Sequence, residues 1–282
     1  MAFSTVIVHL AVATFEPVLL VFITFLIAEI ALLLTARNRY KKISALIRQH
    51  CRLIILINIS TAINWLIVFI ALKYLTSAIV NSIDFAVAPL AIFILSFFVQ
   101  PHQSKVLYKF FLSLLILLIL FGLTIFYYQF QSQHYNIVII LTMLFLLIIG
   151  GLAGGVTVFC CKQLSQSKFS NRDIISIRFI GLLIITFLIL IVNNATFSLS
   201  IPLFALGGLL AITLVMIPAL LLQKAIAQCT PFYITMMATL IPIFTYGFEL
   251  LLTSYPFNFI EFSLITLLTV VIIIYERLEF GN

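Results

Sequence analysis

The sequence predicts an all-α, polytopic membrane protein, and its composition and apolar runs carry that prediction. Hydrophobic residues make up 64% of the 282 residues and charged residues only 8%, whereas soluble domains are nearly half apolar and a quarter charged. The mean hydropathy is +1.31. The apolar residues also form runs of about 18 or more, long enough for a helix to cross a hydrocarbon core of about 30 Å. We therefore expect about ten transmembrane helices.

Charged residues and clusters of Pro, Asn, Ser and Gln divide the chain into nine apolar spans and one shorter segment. The predicted spans are residues 17–35, 53–72, 76–98, 110–128, 137–160, 174–192, 201–223, 231–252 and 260–275. Residues 2–15 predict a half-length first helix, because they would reach only about 21 Å. A secretory signal peptide is the alternative for this segment, but no Lys or Arg precedes it and no small-residue cleavage site follows it.

The basic residues predict how the spans are oriented. If the loop from Arg37 to Arg52 is cytoplasmic, all but one of the 15 Lys and Arg lie on the inner side, and Lys73 is the exception. The net charge of +7 is then an orientation signal, and no nucleic-acid partner is expected. We expect an integral, multi-pass protein of the bacterial cytoplasmic (inner) membrane, with both termini in the cytoplasm.

The two halves of the chain, residues 1–135 and 136–282, share one layout. Each half holds a span with a polar stripe and with a Pro about 12 or 13 residues from its start, Pro89 in the first and Pro242 in the second. Five spans separate the two, and an odd number gives them opposite directions through the membrane. We therefore predict two inverted five-helix repeats, which place a solute site near the bilayer midplane between the halves.

The strongest candidate site is the polar stripe in the span 76–98. Ser77, Asn81 and Asp84 recur at steps of four and three residues, so they share one helical face ahead of Pro89, which is expected to break the helix. A carboxylate near a helix centre costs about 2.5–3.5 kcal/mol, so it usually faces a cavity or a partner. Asp84 is expected to couple protons, to pair with a substrate amine, or to do both in turn. The alternative is an acid bonded to Asn81, or to a hydroxyl of another helix, that only fixes packing.

A second polar face follows the span 231–252. Its members recur at steps of four, three, four and three residues and are Thr235, Thr239, Pro242, Tyr246 and Glu249. Tyr246 could hydrogen-bond or stack. Glu249 lies near the outer end of the span, where a solvated rim is favoured over a binding role.

Three further residues inside spans are candidates for substrate binding or proton coupling. Glu29 has no basic residue at helical spacing, so it is either a proton relay or half of a structural pair with Asn58 or Arg178. Asn64 and Trp65 lie in the middle of the third helix. Trp65 either receives a cation on its ring face, worth about 0.5–2 kcal/mol, or packs against a neighbouring helix.

Several chemical motifs are absent from the sequence. The loop G-x-x-x-x-G-K-[ST] does not occur, and neither does H-E-x-x-H or any metal-ligand spacing of His and Cys. We therefore expect no catalytic residue, no metal and no cofactor, and we do not expect an enzyme. Gly150 to Gly155 contains two overlapping pairs of Gly four residues apart, a pattern that predicts close packing of helix backbones.

Two runs resemble the EamA-type branch of the drug/metabolite transporter superfamily. The run that is similar to the family's third and fourth helices contains Asn64, Trp65, Lys73, Tyr74, Ser77, Ala78 and Pro89. Residues 225–242 are similar to the matching part of the family's second half. The resemblance covers about residues 15–280, and it implies ten helices in two inverted repeats and secondary transport of small metabolites without an ATP site.

These observations lead to a functional expectation. We expect a secondary active transporter, working as an exporter, that moves a small polar or amine-bearing metabolite by alternating access. A proton or substrate gradient would drive it, so the expected partners are the small-molecule substrate, protons and membrane lipids. The chain is expected to be a monomer or a homodimer. The alternatives are a flippase for lipids or lipid-linked molecules, and a non-transporting membrane interaction protein.

Overall fold

The regular elements in the described part of the chain are all helical. The computed structural model describes residues 1–36, 40–99, 115–116, 118–120, 122–123, 125, 136–166, 170–193, 200–253 and 255–280. No strand occurs in these residues, so the all-α class is confirmed. Most of the predicted span 110–128 lies outside them.

The elements before residue 135 are five described helices. They are α1 (Ala2–Ala11), α2 (Pro17–Ala36), α3 (Tyr40–Gln49), α4 (Cys51–Ala71) and α5 (Ser77–Val99). The short α1 agrees with the half-length first helix that the sequence predicts. The helix α3 is new, because the sequence predicts only a basic loop there.

The elements after residue 135 include a π-helical segment. They are α6 (Ile137–Ser165), α7 (Asn171–Ile175), α8 (Ile180–Val192), α9 (Ile201–Leu210), the π-helix (Ala211–Met216), α10 (Ile217–Gln228), α11 (Pro231–Ala238), α12 (Ile241–Leu252) and α13 (Phe259–Phe280). Two predicted spans are interrupted. Residues 176–179 separate α7 from α8, and residues 239–240 separate α11 from α12.

Five helical stretches in the described residues are long and apolar enough to cross a membrane. They are Pro17–Thr35, Cys51–Ala71, Ile137–Ser165, Asn171–Val192 and Ile201–Gln228, and shorter apolar helices accompany them. Large apolar side chains also cover the surface: Val192 is 77% exposed and Ile201 86%. Such a surface suits hydrocarbon better than water. These features indicate a membrane protein, while the ten-helix inverted repeat stays a prediction.

The two prolines that the sequence pairs across the halves act differently. Pro89 lies inside the continuous helix α5, so the expected break at this position is wrong. Its ring has no N–H, which leaves the carbonyl oxygen of Phe85 without its usual helical donor. Pro242 lies in the first turn of α12, where a missing donor costs nothing.

The glycine run of α6 brings three helices into close contact, as the sequence predicts. At Gly151 a Cβ would stand 2.6 Å from the backbone oxygen of Asp84 and 2.9 Å from Cβ of Val87, both in α5. At Gly154 it would stand 3.2 Å from Nδ2 of Asn64 in α4. Only a residue without a side chain allows the approach at Gly151, so the packing interpretation is confirmed.

Replacing Gly151 by Ala should destabilise the protein. The new methyl would meet the α5 backbone, and overpacking of this kind typically costs about 1–3 kcal/mol. Thermal unfolding of the purified protein in detergent measures the effect as a lower Tm.

Gly208→Ala is the matched control for this substitution. A Cβ at Gly208 would meet nothing within 4 Å, and Ala favours a helix over Gly by about 1 kcal/mol. Its Tm should stay equal or rise. Equal melting of the two variants would contradict the close contact between α5 and α6.

Candidate functional site

The carboxyl of Asp84 is oriented by an amide from the neighbouring helix. Nδ2 of Asn64 in α4 donates to Oδ1 of Asp84 at 2.6 Å and to the carbonyl oxygen of Gly150 in α6 at 3.0 Å. One amide nitrogen carries two hydrogens, so both bonds can form at once. Asn64 therefore links three helices and fixes the carboxylate that the sequence marks as the strongest candidate.

A cavity of about 100 Å³ lies beside this pair. Its polar lining includes Thr5, Asn64, Asn81, Asp84, Arg178 and Thr235, and its apolar lining includes Trp65, Phe85, Phe179, Leu214, Pro218 and Leu222. A single water needs only roughly 10–15 Å³ of such space. The cavity can therefore hold several waters or a small solute. Residues before and after position 135 both contribute to its wall.

Arg178 adds a positive charge to the cavity. Its Nε donates to Oγ1 of Thr61 at 3.3 Å, and its guanidinium carbon lies 5.4 Å from the ring centroid of Phe179. Among the described residues Thr61 is its one hydrogen-bond partner, and Asp84 makes no ion pair with it. The cavity thus offers a carboxylate and a guanidinium that do not neutralise each other by direct contact.

The turn between α7 and α8 places Arg178, and Asn58 of α4 holds that turn. Nδ2 of Asn58 donates to the carbonyl oxygen of Ile177 at 2.9 Å, and its Oδ1 accepts from the backbone N–H of Gly181 at 2.7 Å. The side-chain amide of Asn58 therefore satisfies backbone groups on both sides of the break. This is why α7 and α8 can meet at a bend inside an otherwise apolar span.

Glu249 caps α5 and does not lie on a solvated rim, so that expectation is wrong. The residue is 1% exposed, and its carboxylate accepts from the backbone N–H groups of Ser77 at 2.9 Å and Ala78 at 3.0 Å. A carboxylate suits the positive end of a helix, where N–H groups lack partners. Nearby, Nδ2 of Asn81 donates to Oγ1 of Thr245 at 2.8 Å. Both contacts fasten α5 to α12.

The remaining residues of the second predicted face are divided by the break after α11. Thr235 in α11 lines the cavity, but Thr239 at the break accepts a bond from Thr269 through its backbone oxygen. Tyr246 in α12 hydrogen-bonds, as expected, through its hydroxyl to the backbone of Asn258. The face is continuous in the sequence pattern, but only its first part reaches the cavity.

Glu29 is buried away from the cavity lining. It is 2% exposed, and neither carboxylate oxygen has a hydrogen-bond partner among the described residues. The pairing with Asn58 or Arg178 is absent, because those side chains bind the bend and Thr61. Burying a carboxylate without a partner is costly when it is ionised, and the proton-relay role of Glu29 stays a prediction.

Trp65 both packs and lines the cavity. Its ring centroid lies 5.1 Å from that of Phe25 and 6.2 Å from that of Phe69, in edge-to-face arrangements. Phe25 also lies 5.1 Å from Phe179. Of these rings Trp65 and Phe179 line the cavity, and the part of Trp65 that faces it is available to a solute.

Four of the nine predicted site residues therefore line the cavity, namely Asn64, Trp65, Asn81 and Asp84. The other five, Ser77, Glu29, Thr239, Tyr246 and Glu249, do not. Sequence reasoning missed Arg178 as a cavity residue and Thr245 as the partner of Asn81. A signal existed for Arg178, since it is the one basic residue inside the predicted span 174–192.

Comparisons with known proteins show the fold and no family. No family model matches the sequence, and no curated protein matches it. Eight chains of solved structures match. One of them, described only as a crystal structure of a protein, has a TM-score of 0.67 at 14% identity and covers 98% of this chain and 97% of that chain. At 14% identity the similarity supports a statement about the fold and none about the function.

Replacing Glu249 by Ala should destabilise the protein, because the N–H groups of Ser77 and Ala78 would be buried without acceptors. The expected loss is about 1–3 kcal/mol for each group left unpaired. Glu249→Gln keeps one acceptor oxygen and should lose less. Melting of both variants in detergent tests this order, and an Ala variant as stable as the native chain would contradict the cap.

Proposed function

We propose that the protein is a secondary active transporter of a small polar or amine-bearing metabolite, and that the solute binds in the Asp84 cavity. The observation that carries this proposal is a buried carboxylate that lines a cavity inside an apolar helical bundle. Intramembrane carboxylates of this kind mark solute and proton pathways. The Asp84 carboxylate would pair with a substrate amine or a proton.

The composition of the cavity wall supports alternating access. Asn64 and Asp84 come from the first predicted half of the chain, whereas Arg178 and Thr235 come from the second. A site between two inverted halves can open to either side when one half rocks against the other. The predicted ten-helix fold and the resemblance to EamA-type transporters agree with this arrangement and form part of the proposal.

Arg178 and Glu29 take separate roles in the proposal. Arg178 would donate to a carboxylate, phosphate or carbonyl group of the solute, since a guanidinium is a strong donor to such oxygens. Glu29 would carry a proton, because nothing in the described part of the chain neutralises it. The orientation with cytoplasmic termini and the inner membrane of a bacterium complete the proposal. Export is the direction we propose.

Transport in proteoliposomes should require the carboxylate of Asp84. A panel of amines, amino acids and neutral metabolites is assayed under an imposed pH gradient, with the native chain and with Asp84→Asn. We expect gradient-dependent transport that falls by at least tenfold in the variant, because Asn neither carries the proton nor attracts the amine.

Glu16→Gln is the matched control for Asp84→Asn. Glu16 is exposed at the start of α2, outside the cavity, so its loss of charge should leave transport unchanged. Activity retained in Asp84→Asn would assign Asp84 to packing. The absence of transport for every solute would favour the lipid-flippase alternative.

Arg178→Gln should weaken transport selectively. For solutes with a carboxylate or phosphate, KM should rise about 10- to 100-fold, the equivalent of a charged hydrogen bond of about 1.5–3 kcal/mol. Solutes without an anionic group should keep their KM. A uniform loss across the panel, with a lower Tm, would show that Arg178 only supports the bend.

A further inference from the structure

The helix α3 has a composition unlike that of the spans around it. It connects α2 to α4 and packs against α4 and α7. Its ten residues, YKKISALIRQ, include three basic residues and no acidic one. Its apolar residues Ile43 and Ile47 are four positions apart and share one helical face. Arg48, the residue after Ile47, is exposed.

The apolar face of α3 rests on the bundle. Ile43 is half-buried and packs against a buried cluster that includes Ile54 of α4 and Ile174 of α7. Ile47 is 41% exposed, so the face is only partly covered by protein. A short amphipathic helix that rests on the ends of apolar helices is the arrangement seen at membrane interfaces.

Further positive charge surrounds α3. Arg52 in the first turn of α4 and Arg172 in α7 are both exposed. The acid beside them, Asp173, is not part of the exposed surface, because it is 1% exposed and its carboxylate accepts from the backbone N–H of Ser170 in a capping box. The exposed described surface at this place is therefore cationic.

Exposed apolar side chains lie in the helical turns that precede and follow α3 in the chain. Leu34 in the last turns of α2 is 67% exposed, and Ile55 in the first turns of α4 is 58% exposed. Ile55 lies three residues after Arg52 on α4, so the two exposed side chains share one helical face and an apolar surface adjoins the cationic one there. A ligand that fits both surfaces has an anionic head and a long apolar tail.

We propose that α3, with the first turns of α4 and with α7, forms a binding site for an anionic phospholipid. The headgroup phosphate would contact Arg48 and Arg52, and the acyl chains would lie along Leu34 and Ile55. Nucleic acid would match the charge but leave the apolar surface uncovered. This site does not depend on whether the protein transports a solute.

Binding of defined lipids to the purified full chain in detergent tests the site. Native mass spectrometry counts bound phosphatidylglycerol and, at the same concentration, phosphatidylcholine with identical acyl chains. We expect phosphatidylglycerol to bind preferentially and Arg48→Gln to weaken its binding about fivefold, the equivalent of about 1 kcal/mol for one basic residue near a lipid surface. Phosphatidylcholine binding should not change.

Lys73→Gln is the control with the same loss of charge. Lys73 is exposed between α4 and α5, away from α3, so phosphatidylglycerol binding should match that of the native chain. Equal losses in both variants would show a general effect of net charge and overturn the site. Equal binding of the two lipids by the native chain would also overturn it. Arg48 is exposed, and an unchanged Tm will show that its variant is folded.

Discussion

The close approach of α6 to α4 and α5 is the constraint on which the rest of the site depends. Gly151 and Gly154 remove the side chains that would hold the helices apart. Only at this separation can Asn64 reach both the Asp84 carboxylate and the backbone oxygen of Gly150. Without hydrophobic driving force between helices in lipid, such packing and bonds are what hold a bundle together. The contact of α6 with α4 and α5 thus both stabilises the bundle and orients the carboxylate of Asp84.

A second set of bonds holds the beginning of α5 to α12. Glu249 caps the helix, and one turn further along Asn81 bonds to Thr245. Asp84 follows in the next turn and, like Asn81, lines the cavity. The break before α12 separates this anchoring helix from α11, whose Thr235 lines the cavity. In the proposed alternating access, the hydrogen bonds between α5 and α12 would have to break and be replaced by others when one half moves against the other.

Helical periodicity was enough to find the first part of the site. The spacing of Asn81 and Asp84 predicts one polar helical face that lines a cavity, and both residues line it. The glycine pairs predict the contact that makes this possible. These inferences succeed because each depends on local spacing within one uninterrupted helix.

The sequence pattern failed where a helix is interrupted or where the partner is distant in the chain. The polar face through Thr239 to Glu249 assumes one straight helix, but the break after α11 turns the later residues toward α5 and α13. In the sequence pattern Arg178 is only a basic residue near the end of a span. The bend that places it at the cavity depends on Asn58, 120 residues earlier. Contacts between residues so far apart in the chain produce no periodic pattern in the sequence.

In the proposed mechanism, solute and proton compete for the Asp84 carboxylate. Proton release when the transported solute is added to the purified protein in weakly buffered detergent measures this directly. We expect the native chain to release protons when the solute binds and Asp84→Asn to release none, since a solute that displaces a proton must bind more weakly to the protonated site. Equal proton release from both proteins would contradict the claim.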